Sequence, residues 1–146
     1  MLELQTTRFG IIKIKEEEIF EFVQGLIGFE QDRGFILFRQ GDKLPLFWLQ
    51  SVETPELALV VTDPWNFVED YEFTLNKHEK ELLELEDESS LLTLVTVNLR
   101  ASDDITINLK GPILLNRRKK KGLQIVLDDE EYKIKYRISK GSLQSA

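Results

Sequence analysis

The apolar positions of this 146-residue chain fall mostly into short segments bounded by turn residues. The stretch from Phe9 to Lys15 ends in alternation, with Ile12 and Ile14 set against Lys13 and Lys15. Residues 35–38, 46–49 and 57–61 are continuous apolar runs, of the length expected for strands buried on both faces. Residues 91–99 are rich in Leu, Val and Thr, and Ile105, Ile107 and Leu109 alternate strictly with Thr106, Asn108 and Lys110. Residues 113–115 and 123–127 add two further apolar segments. Tyr132, Ile134, Tyr136 and Ile138 then alternate with Lys133, Lys135 and Arg137, which predicts a strand with one buried face. About nine or ten short strands at close spacing predict a mainly β chain, an antiparallel barrel or sandwich.

One short helix is predicted over about 76–86, because Asn76 stands three residues before Glu79 and ahead of Leu82, Leu83 and Leu85. Turn signals at Gly25 and Gly28, Gly41-Asp42, Thr54-Pro55, Asp63-Pro64 and Gly111-Pro112 fit connections between strands. No repeat and no Pro/Gly/Ser-rich linker divides the chain, which reads as one domain over residues 1–140 with a flexible tail, 141–146.

Composition narrows the function classes. Apolar residues make up 42% and charged residues 31%, a balance suited to a globular protein. The net charge is −7, but it is unevenly spread. Residues 111–146 hold 9 basic and 4 acidic residues, net +5, which leaves 10 and 22, net −12, in residues 1–110. An acidic body with a basic C-terminal quarter argues against nucleic-acid binding by the body. Cysteine is absent, which excludes disulfides, thiol nucleophiles and Cys-ligated metals. The opening MLELQTTRFG lacks the basic start and apolar run of a signal peptide, and no apolar stretch approaches ~20 residues. A cytoplasmic location, away from membranes, is the expectation.

Catalytic constellations are wanting. The one histidine, His78, stands in the charged run NKHEKE and reads as a solvated helix residue rather than a partnered base. No nucleophile elbow, P-loop, dinucleotide fingerprint, zinc helix or EF-hand spacing occurs. Glu16, Glu17 and Glu18 and the acids of 84–88 read as solvated faces, and Asp103-Asp104 or residues 128–131 give weak support to Mg²⁺ or Ca²⁺ binding. The expectation is a non-enzyme without a cofactor. Arg117, Arg118, Lys119, Lys120 and Lys121 form a basic loop between two strands, either a soluble hairpin or, with Lys133, Lys135 and Arg137, a phosphate-binding patch. Core packing accounts for Trp48, but Trp65, Phe67, Tyr71 and Phe73 sit beside prolines and acids, too many rings for an ordinary connection. They either pack a long loop down or form a protein-binding surface.

Five motifs in order, GLIGFE (25–30), FWLQSVETPELALVVTDPW (47–65), DYEF (70–73), NLKGPILLN (108–116) and GLQIVL (122–127), resemble the FliW family of flagellar assembly factors over nearly the whole chain. The family often has Ala where this chain has Gly111. The resemblance implies a barrel-like β domain and a cytoplasmic, non-enzymatic regulator with two competing protein partners. One is flagellin, held before export. The other is CsrA, a small dimeric RNA-binding repressor of flagellin mRNA translation, which the factor sequesters once flagellin is secreted. The acidic body is an electrostatic complement to an RNA-binding surface. The candidates for binding CsrA are Glu53, Glu56, Asp63, Glu69, Asp70 and Glu72, with Trp65, Phe67 and Tyr71 as apolar anchors. Flagellin ends that fold only in the filament are amphipathic helices, so Leu26, Ile27 and Phe29 in the glycine-bounded turn are the candidates for binding them. A monomer is expected for the free chain. Direct RNA binding through the 117–121 loop is the alternative.

Overall fold

The computed structural model describes residues 1–39, 41, 44–101 and 103–145. The apolar segments become β1 (Leu2–Thr6), β2 (Gly10–Ile14), β3 (Phe20–Phe22), β4 (Gly34–Phe38), β5 (Leu46–Ser51) and β6 (Ala58–Thr62). After helix α1 (Lys77–Leu82) follow β7 (Leu91–Ala101), β8 (Asp104–Ile107), β9 (Ile113–Asn116), β10 (Lys121–Gln124) and β11 (Tyr136–Ile138), then helix α2 (Lys140–Ser145). Among the described residues the long strand β7 is the hinge of the topology. Its first part pairs with β9, its middle with β6 and its last part with β8. Pairing through β6, β5, β4, β3, β10 and β9 back to β7 closes a seven-stranded ring, and β8 and β11 extend from it as a flap.

The barrel expectation holds, with one departure from antiparallel pairing. Strands β3 and β10 run parallel, Lys121 opposite Glu21 and Gly122 opposite Phe22. Closure is tightest there: a Cβ on Gly122 would fall into the ring of Phe22. A seven-stranded ring is narrow enough for side chains to fill it. Phe20, Phe22, Phe35, Leu49, Val61, Leu94, Ile113 and Leu115 do so, with Leu26 joining their cluster from the following turn.

The opposite faces of β7, β9 and β10 turn outward but are not wet. Val95, Val97, Leu114 and Leu123 form a second core with Ile105, Ile107, Leu83 and Tyr71. This two-sided burial explains the continuous apolar runs: every residue of β9 is buried, and none of 35–38, 46–49 or 57–61 is exposed. The hairpin of β1 and β2 packs separately, Leu4 and Ile14 against Ile36, and Phe9 edge-on to Phe38 and Trp48 at 4.8 and 5.2 Å.

Helix α1 begins as its sequence dictates, with reciprocal bonds between Asn76 and Glu79 of 2.8 and 2.9 Å. It ends earlier than 86. Asn116 donates from Nδ2 to the carbonyls of Leu83 and Glu84 at 2.8 and 3.1 Å, satisfying backbone acceptors released where the helix stops. His78 is exposed on its wet side. Two further expectations meet a different structure. Residues 140–145 form α2 instead of a loose tail, because Leu143 is buried in the outer core. Alternation from Tyr132 yields a strand only at Tyr136–Ile138, because β8 offers partners only to those residues. Among the described residues, no helix is long and apolar enough to cross a membrane.

Candidate functional site

The segment from Asp63 to Phe73 is an aromatic loop folded down onto the outer core. Asp63 accepts from the Trp65 amide at 2.8 Å and starts a short 3-10 turn, Pro64–Asn66. Tyr71 is the keystone. It is buried, its hydroxyl donates to the carbonyl of Leu109 at 2.7 Å, and its ring meets Trp65, Phe73 and Tyr132 edge-on with centroids at 5.8, 5.6 and 4.8 Å. Burial first, and the neighbouring Tyr132 second, push its hydroxyl pKa up, so it remains a neutral donor. The Trp65 indole donates to the Tyr71 carbonyl at 2.7 Å, and the Tyr132 hydroxyl accepts from the Glu72 amide at 3.0 Å. The rings therefore pack the loop down. Tyr71 is not an accessible anchor and Phe67 is half-buried against the core, which leaves Trp65, 42% exposed, as the one open ring of the three expected anchors.

What this scaffold presents is negative charge. Glu69, Asp70 and Glu72 line a hollow of about 630 Å³ with Asp129 and Glu131, and among the described residues no cation lines it. A second hollow, about 590 Å³, shares Tyr71, Glu72, Phe73 and Thr74 and adds Asp63, Trp65 and Glu88, with Lys80 as its one basic residue among those described. Among the described residues, no three acids or histidines converge as a metal site would require. The candidates Asp63, Trp65, Glu69, Asp70 and Glu72 are thus brought together. Glu53 and Glu56 are not, because they sit at the other end of β6, whose five residues span about 17 Å. The Glu53 carboxylate is moreover engaged by the amides of Arg33 and Gly34 at 2.9 and 2.7 Å, a structural role. Sequence reasoning missed Asp129 and Glu131. The acidic run 128–131 was visible, but it lay in the quarter whose sum is basic.

The second feature is an apolar groove of about 530 Å³ at the mouth of the ring. One wall is the turn 25–30. Gly25 (φ +68°) has no room for a side chain, its Cβ position lying 2.6 Å from the Glu30 backbone, and Gly28 takes φ +90°. The Phe29 amide donates to the Leu26 carbonyl at 2.8 Å, and the Gly28 amide to the Glu30 carboxylate at 2.9 Å, which holds that carboxyl below the usual glutamate value. Leu26 is 1% exposed and belongs to the ring core, whereas Ile27 and Phe29 are 54% and 41% exposed. Gln124 ties this wall to the floor, accepting from the Ile27 amide and donating to the Gly111 carbonyl, both at 2.9 Å. The other wall carries exposed Val126, from the apolar segment 123–127, and exposed Ile134, which alternation places on the buried face of a strand.

The basic residues do not form one patch. Arg117–Lys120 joins β9 to β10 beside the Leu91 end of β7, while Tyr136–Ile138 is linked through β8 to Val97, about 20 Å along that strand. Lys121 pairs with Glu21 and, at 3.5 Å, with Glu84, and Arg137 pairs with Asp104 at 3.4 Å. The hydrogen bond from Lys121 to Glu21 raises the pKa of this lysine.

Comparison with known proteins decides the family. The model of the family described as FliW protein matches residues 3–138. The chain belongs to the FliW family. The flagellar assembly factor FliW of Caldanaerobacter subterraneus subsp. tengcongensis is 39% identical over 139 residues, covering 94% of this chain and 93% of the relative. That of Thermosipho africanus is 39% identical over 140 residues, covering 94% and 97%. A solved structure described as the flagellar assembly factor FliW superposes with a TM-score of 0.86 at 35% identity, covering 93% of this chain and 96% of the other. These relatives are named as assembly factors, not as enzymes. Within this FliW fold the motif residues have different structural roles. Gln124 and Gly111 brace the groove, and Tyr71 holds the acidic loop.

Proposed function

We propose that this chain is a monomeric, non-enzymatic flagellar assembly factor of the cytoplasm that binds CsrA through the acidic patch and flagellin through the apolar groove. Bound CsrA is withdrawn from flagellin mRNA, and translation resumes. The observation that carries this reading is the hollow walled by Glu69, Asp70, Glu72, Asp129 and Glu131, with no lining cation among the described residues. A repressor that binds RNA presents basic side chains to phosphates, and a fixed array of carboxylates matches that surface while repelling the competing polyanion. One charge pair 4 Å apart in water contributes about 1 kcal/mol, so several together set affinity and association rate.

The test reverses charge where the fold does not depend on it. Asp70 and Glu72 are exposed, and Asp70→Lys with Glu72→Lys is expected to weaken CsrA binding in calorimetric titration on the order of tenfold at low salt, and less at high salt. Unchanged affinity at both salt concentrations refutes the placement. Direct RNA binding is not favoured, because the basic residues are separated along β7 and Lys121 is paired with Glu21 and Glu84. The protein alone is expected to leave RNA unshifted in a native gel; a salt-sensitive shift contradicts this.

A further inference from the structure

We infer that the groove at the mouth of the ring takes an amphipathic helical segment bearing carboxylate side chains, which face Lys110 and Lys135. The inference rests on the reading of this groove as the flagellin-binding surface and adds the charge its occupant must carry. The chain holds 26 Asp and Glu residues, yet among the described residues no carboxylate lines the groove. Among the described residues its one charged lining residue is Lys110. A smaller niche of about 110 Å³ continues it along the flap, sharing Thr96, Asn98, Asn108 and Ile134, and its one charged residue among those described is Lys135. Neither lysine is paired with another described residue, unlike Lys121 and Arg137. The surface is therefore graded, from apolar Ile27 and Phe29 at one end to amides, hydroxyls and two uncommitted cations at the other.

The form of the occupant follows from what the groove offers. Thr96, Asn98, Thr106 and Asn108 alternate along β7, β8 and the residue after β8, so the niche presents the face of a sheet. A segment lying on that face meets side chains, and an amphipathic helix covers a sheet face with its apolar stripe. Val126 and Ile134, 58% and 60% exposed, gain cover from that stripe, and acids beside it reach the lysines. A basic segment is repelled by the same pair.

Fluorescence anisotropy with three labelled peptides tests this. Each has about 18 residues, about 27 Å as a helix, with one Leu stripe at i, i+3, i+4 and i+7. They differ only in carrying Glu, Gln or Lys at three positions beside the stripe. The Glu peptide is expected to bind about tenfold more tightly than the Lys peptide at low salt, with a smaller gap at about 0.5 M salt. The double variant Lys110→Glu, Lys135→Glu is expected to invert the order. Ile27→Asp, at an exposed position that spares the core, is expected to weaken all three. Equal binding of the three peptides that Ile27→Asp abolishes overturns the charge inference and leaves the groove as a docking surface. Binding that Ile27→Asp does not change, or no binding of any peptide, overturns both.

Discussion

Asn116 shows how much one side chain can organise. Its Nδ2 donates to two carbonyls at the end of α1, and its Oδ1 accepts from the amides of Arg118 and Lys119 at 3.1 and 3.3 Å. It therefore shapes both the helix end and the basic hairpin. Asn116→Ala strands buried carbonyls and is expected to cost about 2–4 kcal/mol in urea unfolding, with an unchanged m-value. Gly122→Ala forces a methyl into the Phe22 ring and is expected to cost about 1–3 kcal/mol by overpacking. Glu30 supplies a pH-dependent contact. The Gly28 N–H, and secondarily its own amide, hold its carboxyl below the ordinary value, so its contribution is complete above that value and lost as pH falls through the lowered one. The Gly28 amide resonance is expected to titrate in NMR with a midpoint below that of a free glutamate; a midpoint at the free value contradicts this bond.

At the scale of elements, local rules were legible where local physics decides. The Asn76–Glu79 pair predicted the start of α1, and Asn76→Ala is expected to lower stability by about 1 kcal/mol, with Asn76→Ser near neutral in thermal unfolding. Its end was not legible, because the residue that satisfies the terminal carbonyls lies 33 positions away. Alternation located β8 and the end of β11 but overextended the latter, since residues before Tyr136 have no partner strand. Ile134 was thereby assigned to a core when it lines a groove. The aromatic loop was ambiguous between packing and binding; Tyr71 packs, while Trp65 stays open and the carboxylates between them face solvent.

Across the whole molecule, the charge sum concealed its own geography. The acidic body was legible, but which carboxylates gather depends on long-range folding. The run near Asp129 joins the loop near Asp70 because Tyr132 packs on Tyr71. Glu53, with the same formal charge, is engaged by two backbone amides. The basic quarter likewise divides into Lys121, neutralised at the ring, and Lys135, beside the groove and without an ion-pair partner among the described residues. The molecule thus carries two surfaces of opposite character, an acidic patch and an acid-free apolar groove. Hydrogen-exchange footprints of CsrA and of flagellin on this chain test that division most directly. CsrA is expected to protect amides of 63–73 and 128–132, and flagellin those of 26–29 and 124–127. Protection of the groove by CsrA, with the acidic loop exchanging as freely as in the unbound chain, contradicts it.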